Sequence, residues 1–313
     1  MTITTYSGLQ TGVANWLSRS GDTTVTSNVA DWIILCESRI HYGSGDAEDP
    51  DVSFFTRPLR TRAMETEAQL IIPSYLTGPT VGGTANAITL SYSSNPSSYA
   101  NGQGYSFTAT STNTSATTVN VGSLGARSVV MGSSLSALSG GEIVSGVTYK
   151  LYDDGTHLIL MPGRAMVPLP SNYVATRNSY LDLDPIRDLD LLTPDQIDRR
   201  YPYSQTGKPE AFSIEGDAVR FGPIPDAQYV MRFLYYKKFP DLATYSTNWL
   251  LVNKPDVYLY GTLLEANIFL RNEDQALKYL KLYRAAIAGL QSQDNSDRYS
   301  GAVLTIRTDY GSP

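Results

Sequence analysis

Charge is scarce in this 313-residue chain. Asp, Glu, Lys and Arg supply 17% of it, and none lies between Glu67 and Arg127, whereas soluble domains usually carry roughly 25%. The formal net charge of -6 leaves no overall basic field to draw the chain onto DNA or an anionic membrane. Cysteine is almost missing. Cys36 alone excludes an intrachain disulfide, and its neighbours Ile33, Ile34 and Leu35 suggest an ordinary buried thiol. There is no apolar run of 18 residues, and no basic N-terminal region followed by an apolar stretch, so assembly in a cytoplasm is expected.

The motifs of chemistry are missing as well. His41 and His157 lie far apart and form no metal-ligand pattern with Cys36. The four aspartates Asp182, Asp184, Asp188 and Asp190 lack the glycine and the final glutamate of a calcium loop. Neither a phosphate-cradling glycine loop with lysine nor a Gly-x-Ser-x-Gly elbow occurs. Glu65, Glu67 and Glu210 remain the carboxylates that a glycoside hydrolase would have to bring together. No enzyme, metal or cofactor is expected.

Tyrosine, by contrast, reaches 22 residues. A surface poor in charge and rich in tyrosine suits protein contact, because tyrosine buries area at little entropic cost; a stable lectin-like domain is the alternative. Helical spacing predicts helices over residues 6–18, 25–42, 255–270 and 274–291, the last two forming a tight hairpin, with Thr26, Ser27 or Asn28 capping the second. The first member of the hairpin reads as amphipathic with one broad apolar side. A strand is expected to end at Ile72, before Pro73; on it Arg60 and Arg62 would share a face, and with Arg57 they could meet phosphate or a partner's carboxylates. Residues 43–51 read as an acidic loop.

The uncharged stretch is broken into short β-prone pieces, with Tyr105, Phe107 and Ala109, and Tyr149 and Leu151, alternating inward. It predicts a separate antiparallel β domain, sandwich- or barrel-like, over residues 74–165. Thr193, Pro194 and Gln196 predict a capped short helix. Residues 211–236 predict a three-stranded antiparallel meander, and Val303–Thr308 a strand in need of a partner. The class is therefore α+β: a helical bundle and hairpin core from residues 1–73 and 166–293 with a small meander, an inserted all-β domain, and an arm over residues 294–313.

Two ordered sets of motifs carry a resemblance. The first runs Leu169-Pro170-Ser171-Asn172-Tyr173, Leu192-Thr193-Pro194-Asp195-Gln196-Ile197, Gly207-Lys208-Pro209-Glu210-Ala211-Phe212 and Phe221-Gly222-Pro223-Ile224-Pro225-Asp226. The second runs from Phe233 to Leu242, through Thr247-Asn248-Trp249-Leu250-Leu251, to Pro255–Gly261 and the hairpin. Their order resembles the head-to-tail adaptor, or head-completion, proteins of tailed bacteriophages. Asn86–Leu90, Tyr99–Phe107, Asn113–Val121 and Tyr149–Leu160 are similar to a β module of phage tail fibres and virion appendages.

The resemblance implies a structural virion protein in the neck. On the order of twelve copies would form a ring between the portal protein and the tail hub or nozzle, sealing and extending a channel through which DNA passes without sequence-specific binding. It implies anchoring aromatics at Tyr235, Tyr236, Trp249, Tyr258, Tyr260 and Tyr283. The portal-contacting arm would include Asp294, Arg298, Tyr299, Val303, Ile306 and Arg307. The β module would touch a tail fibre or the capsid, or, in the alternative function, bind a receptor or carbohydrate.

Overall fold

A computed structural model describes residues 3–45, 54–161, 166–201 and 205–299. Its α-helices are α1 (Tyr6–Trp16), α2 (Thr23–Tyr42), α3 (Pro194–Arg200), α4 (Leu242–Tyr245), α5 (Trp249–Asn253), α6 (Pro255–Phe269) and α7 (Glu273–Tyr299). The class is mixed α+β, and the contacts divide the chain into two compact units, residues 1–65 with 236–313 and residues 66–235.

The first unit is helical. Helix α6 is its axis: every residue from Val257 to Asn267 except Tyr260 is buried, so the single apolar side expected of it is corrected to burial nearly all round. Helices α1, α2, α5 and α7 supply the cover, through Leu9, Val13, Ile33, Ile40, Leu251, Leu280 and Tyr283 among others. Helix α2 starts earlier than its apolar pattern does. Asp22 is its cap, accepting from the Thr24 amide, rather than Thr26, Ser27 or Asn28. Helix α7 overruns the expected residue 291 to Tyr299.

The second unit holds the sheets. Strand Glu65–Ile72 pairs with Tyr229–Lys237, which pairs with Tyr173–Leu181 and then Arg187–Asp188. In another sheet Ala211–Glu215 and Ala218–Gly222 form an antiparallel hairpin, flanked by Met166–Pro168 and Asp190–Leu191. The meander is thus corrected to a hairpin, its third strand having joined the first sheet. Pro223 and Pro225 have no N–H to give a ladder; the chain instead makes a short parallel pairing of Ile224–Pro225 with Thr206–Gly207. Beyond it, Met231, Phe233 and Tyr235 turn into the core. Thr193 and Gln196 form the capping box of α3.

Residues 75–161 fold into a nine-stranded sheet. It differs from the purely antiparallel arrangement expected: Leu158–Met161 runs parallel to Ala126–Met131, Ala87–Ser91 to Thr118–Val121, and Tyr75–Leu76 to Gly104–Tyr105. Each pair is joined by enough chain to cross over. Tyr105, Phe107, Ala109, Tyr149 and Leu151 do point inward, into a core with Val119, Val121 and Leu160. The opposite face is buried too. Val130, Tyr152, Ile159 and Met161 pack with Leu70, Ile72, Val167, Phe212 and Phe233, which explains why Leu158-Ile159-Leu160-Met161 reads as an unbroken apolar run.

Candidate interaction surfaces

The six aromatic anchors fall into two groups. Tyr258 and Tyr283 are fully buried, and Tyr235 nearly so, stacked on Phe233 at 5.5 Å with its hydroxyl donating to Asn172 Oδ1 at 2.8 Å. Tyr236 and Tyr260 are half-buried, the first beneath the Arg60 guanidinium and the second edge-on to Trp16. Trp249 lies flat against Phe239 and stays 44% exposed. Sequence reasoning missed a larger exposed set that includes Trp16, Ile34, Leu35, Tyr42 and Phe269. The signal was present in α2: a 3.6-residue period that turns Ile33 and Cys36 inward turns Ile34, Leu35 and Tyr42 outward.

Buried polar groups fasten the segment after Phe239 to α2. Glu37 Oε1 accepts from the Leu242 amide at 3.0 Å and from the Tyr258 hydroxyl, which also accepts from Asn248 Nδ2 at 2.7 Å. His41 Nε2 accepts from the Phe239 amide at 3.0 Å. Burial above all, then the charges of Lys238 and Arg60, pushes the His41 imidazole from 6.5 down to about 4, against the pull of Asp241.

The folded value lies below the unfolded one, so the neutral ring contributes its full stability above pH 6.5. That contribution drains as the pH falls toward 4. Glu37 acts in the opposite sense, since burial raises its carboxyl. Between pH 7 and pH 4 the wild type should therefore lose about 2 kcal/mol that a His41→Gln variant keeps. Urea titrations at the two pH values check this; parallel losses would refute it.

The three arginines do not share a strand. The strand begins only at Glu65, after the 3-10 turn Arg62–Met64, and Arg60 and Arg62 are held by separate partners. Arg60 donates to the His41 and Leu59 carbonyls. Arg62 pairs with Asp294 at 3.1 Å and with Asp297 at 3.7 Å. Arg57 is exposed and lines a groove of about 250 Å³ with Phe55, Thr56, Arg284, Ile287 and Ala288.

Asp294 accepts from the Arg62 amide as well, and Arg298 pairs with Glu65. These contacts fix the end of α7, so residues 294–299, expected in the arm, are helix. Val303, Ile306 and Arg307, and the strand expected around them, lie outside the described residues, as does most of the acidic loop expected at 43–51.

No group of three or more His, Cys, Asp or Glu side chains among the described residues is placed to hold a metal ion, and no described helix is long and apolar enough to cross a membrane. No curated protein matches the chain. The SU10 adaptor protein family model matches residues 136–307. That is more than half of the chain, and it takes in Thr148–Asp153 and Leu158–Met161, the paired strands that carry core on both faces, together with the hairpin sheet and α3 to α7. The chain therefore belongs to the SU10 adaptor protein family, the structural and non-catalytic head-to-tail adaptors of bacteriophages.

Proposed function

We propose that copies of this chain close into a ring between the portal protein and the tail hub or nozzle. The ring holds on the order of twelve copies and seals and extends the DNA channel in the virion neck. The observation that carries the reading is the outer side of α2. Asp31, Ile34, Leu35, Ser38 and Tyr42 recur there at helical spacing, and Ile34, Leu35 and Tyr42 are 53%, 52% and 56% exposed. The inner side of α2 already fills its own core, and its outer side leaves Ile34, Leu35 and Tyr42 exposed among the described residues, which suits contact with another subunit. The net charge of -6 suits a channel through which DNA slides without being held.

Residues 300–313 form the arm that reaches the portal. A chain ending at Tyr299 keeps the contacts of Asp294 and Arg298 with Arg62 and Glu65. It should melt at the wild-type temperature and form rings, yet fail to bind portal. Truncation before Asp294 should lower the melting temperature as well. Electron microscopy of the full chain with and without portal tests the ring. A wild-type chain that stays monomeric beside its portal would overturn the reading, and normal portal binding by the Tyr299 truncation would overturn the arm.

A further inference from the structure

We infer that the turn Asp182–Ile186 of one copy seats in the groove between Phe55–Arg57 and α7 of the next, an interface resting on the ring reading above. The groove is apolar at its base, through Phe55, Ile287 and Ala288, and cationic at its rim. Arg284 directs Nε and Nη2 at the Phe55 carbonyl, and neither it nor Arg57 has a carboxylate partner among the described residues. Thr56 lines the same groove, and its buried hydroxyl finds no partner there. Such a site takes an apolar side chain flanked by carboxylates.

Among the described residues, the turn after Tyr173–Leu181 offers that ligand. Strand Tyr173–Leu181 pairs with Arg187–Asp188 in register Tyr180↔Asp188, which presents the intervening turn at the sheet's end. Ile186 in it is 60% exposed, and Asp184 and Asp188 on either side are exposed, with no ion pair among the described residues. Neighbouring Arg187 and Asp190 are already paired, to Glu210 and Arg200. An isoleucine side chain fits the groove's volume, and its two flanking carboxylates complement the two guanidiniums. Groove and turn are different patches of one chain. Their contact is head-to-tail, the kind that generates rings.

The test uses two full-length charge-reversed chains, Arg57→Glu/Arg284→Glu and Asp184→Lys/Asp188→Lys. Each alone sets like charges across the interface and should self-associate at least tenfold more weakly than the wild type in analytical ultracentrifugation. Mixed one to one, they restore opposite charges at every interface in an alternating ring and should assemble again. As a check independent of charge, Ile186→Cys/Ala288→Cys should cross-link between copies under diamide, and neither single cysteine variant should.

Wild-type assembly by either reversed chain alone, or a mixture that stays dissociated while the wild type assembles, would overturn the inference and leave the ring standing. Absence of the cross-link in assembled protein would overturn it in the same way. A wild-type chain that never assembles would overturn both.

Discussion

Replacing Arg39 by methionine should destabilise the helical unit by about 3–5 kcal/mol, the range for removing one partner of a buried ion pair. Arg39 on α2 and Glu265 on α6 are each 9% exposed at the side chain. Arg39 Nε donates to Glu265 Oε1 at 2.7 Å, and Nη1 reaches the Phe54 carbonyl at 3.2 Å. Without the guanidinium, the Glu265 carboxylate would sit in the core between two helices with neither water nor a counter-charge. The large effect comes from that stranded charge. Arg39→Met/Glu265→Met should accordingly recover most of the loss, since the pair's mutual attraction only offsets its own desolvation. Urea unfolding of the monomer at pH 7 measures both: the midpoint should fall for the single variant with the slope unchanged. A single variant within about 1 kcal/mol of wild type would show that water reaches Glu265 and that the pair is effectively at the surface.

Gly261→Ala should cost about 3 kcal/mol, the upper end of the usual penalty for overpacking. Two effects compete. Alanine favours the helix over glycine by about 1 kcal/mol, but a Cβ on Gly261 would overlap Cys36 Sγ and stand 3.1 Å from the Tyr283 ring. Both of those side chains are fully buried. The thiol has nowhere to retreat, so the clash wins. Cys36→Ala in the same chain removes the obstructing sulfur and should restore a good part of the loss, although Cys36→Ala alone is destabilising; contact of this kind makes the two changes non-additive. Thermal melts of the four proteins provide the comparison. Wild-type stability in Gly261→Ala would mean that α2, α6 and α7 pack less closely than these distances require.

What could be read in advance follows from the range of the forces. Helices α1, α2 and α7 announce themselves because Leu9 and Val13, or Leu280, Tyr283 and Ile287, repeat along a single face, and α3 because Thr193, Pro194 and Gln196 are a local device. Partners far away in sequence left no such mark. Nothing near Asp294 or Arg298 tells that Arg62 and Glu65 extend α7 by two turns, and nothing in Tyr229–Lys237 tells that it deserts the hairpin before it. The aromatics show the same limit: a tyrosine suits a core or an interface equally well, so Tyr258 and Tyr260 looked alike while one is fully buried and the other only half-buried. The family, by contrast, was legible from the order of short motifs, without placing any of them in space.

The two-sided burial of the strands around Val130, Tyr152 and Ile159 bears on whether residues 75–161 could be removed from the chain. A module bounded only by Pro73 and Leu169 could be exchanged like a cassette. This one lends part of its back to the neighbouring sheet, so excision would lay bare Leu70, Val167 and Phe212 along with it. Any engineered replacement has to bring a matching apolar back of its own, and the loops can therefore be altered far more freely than the whole can be removed.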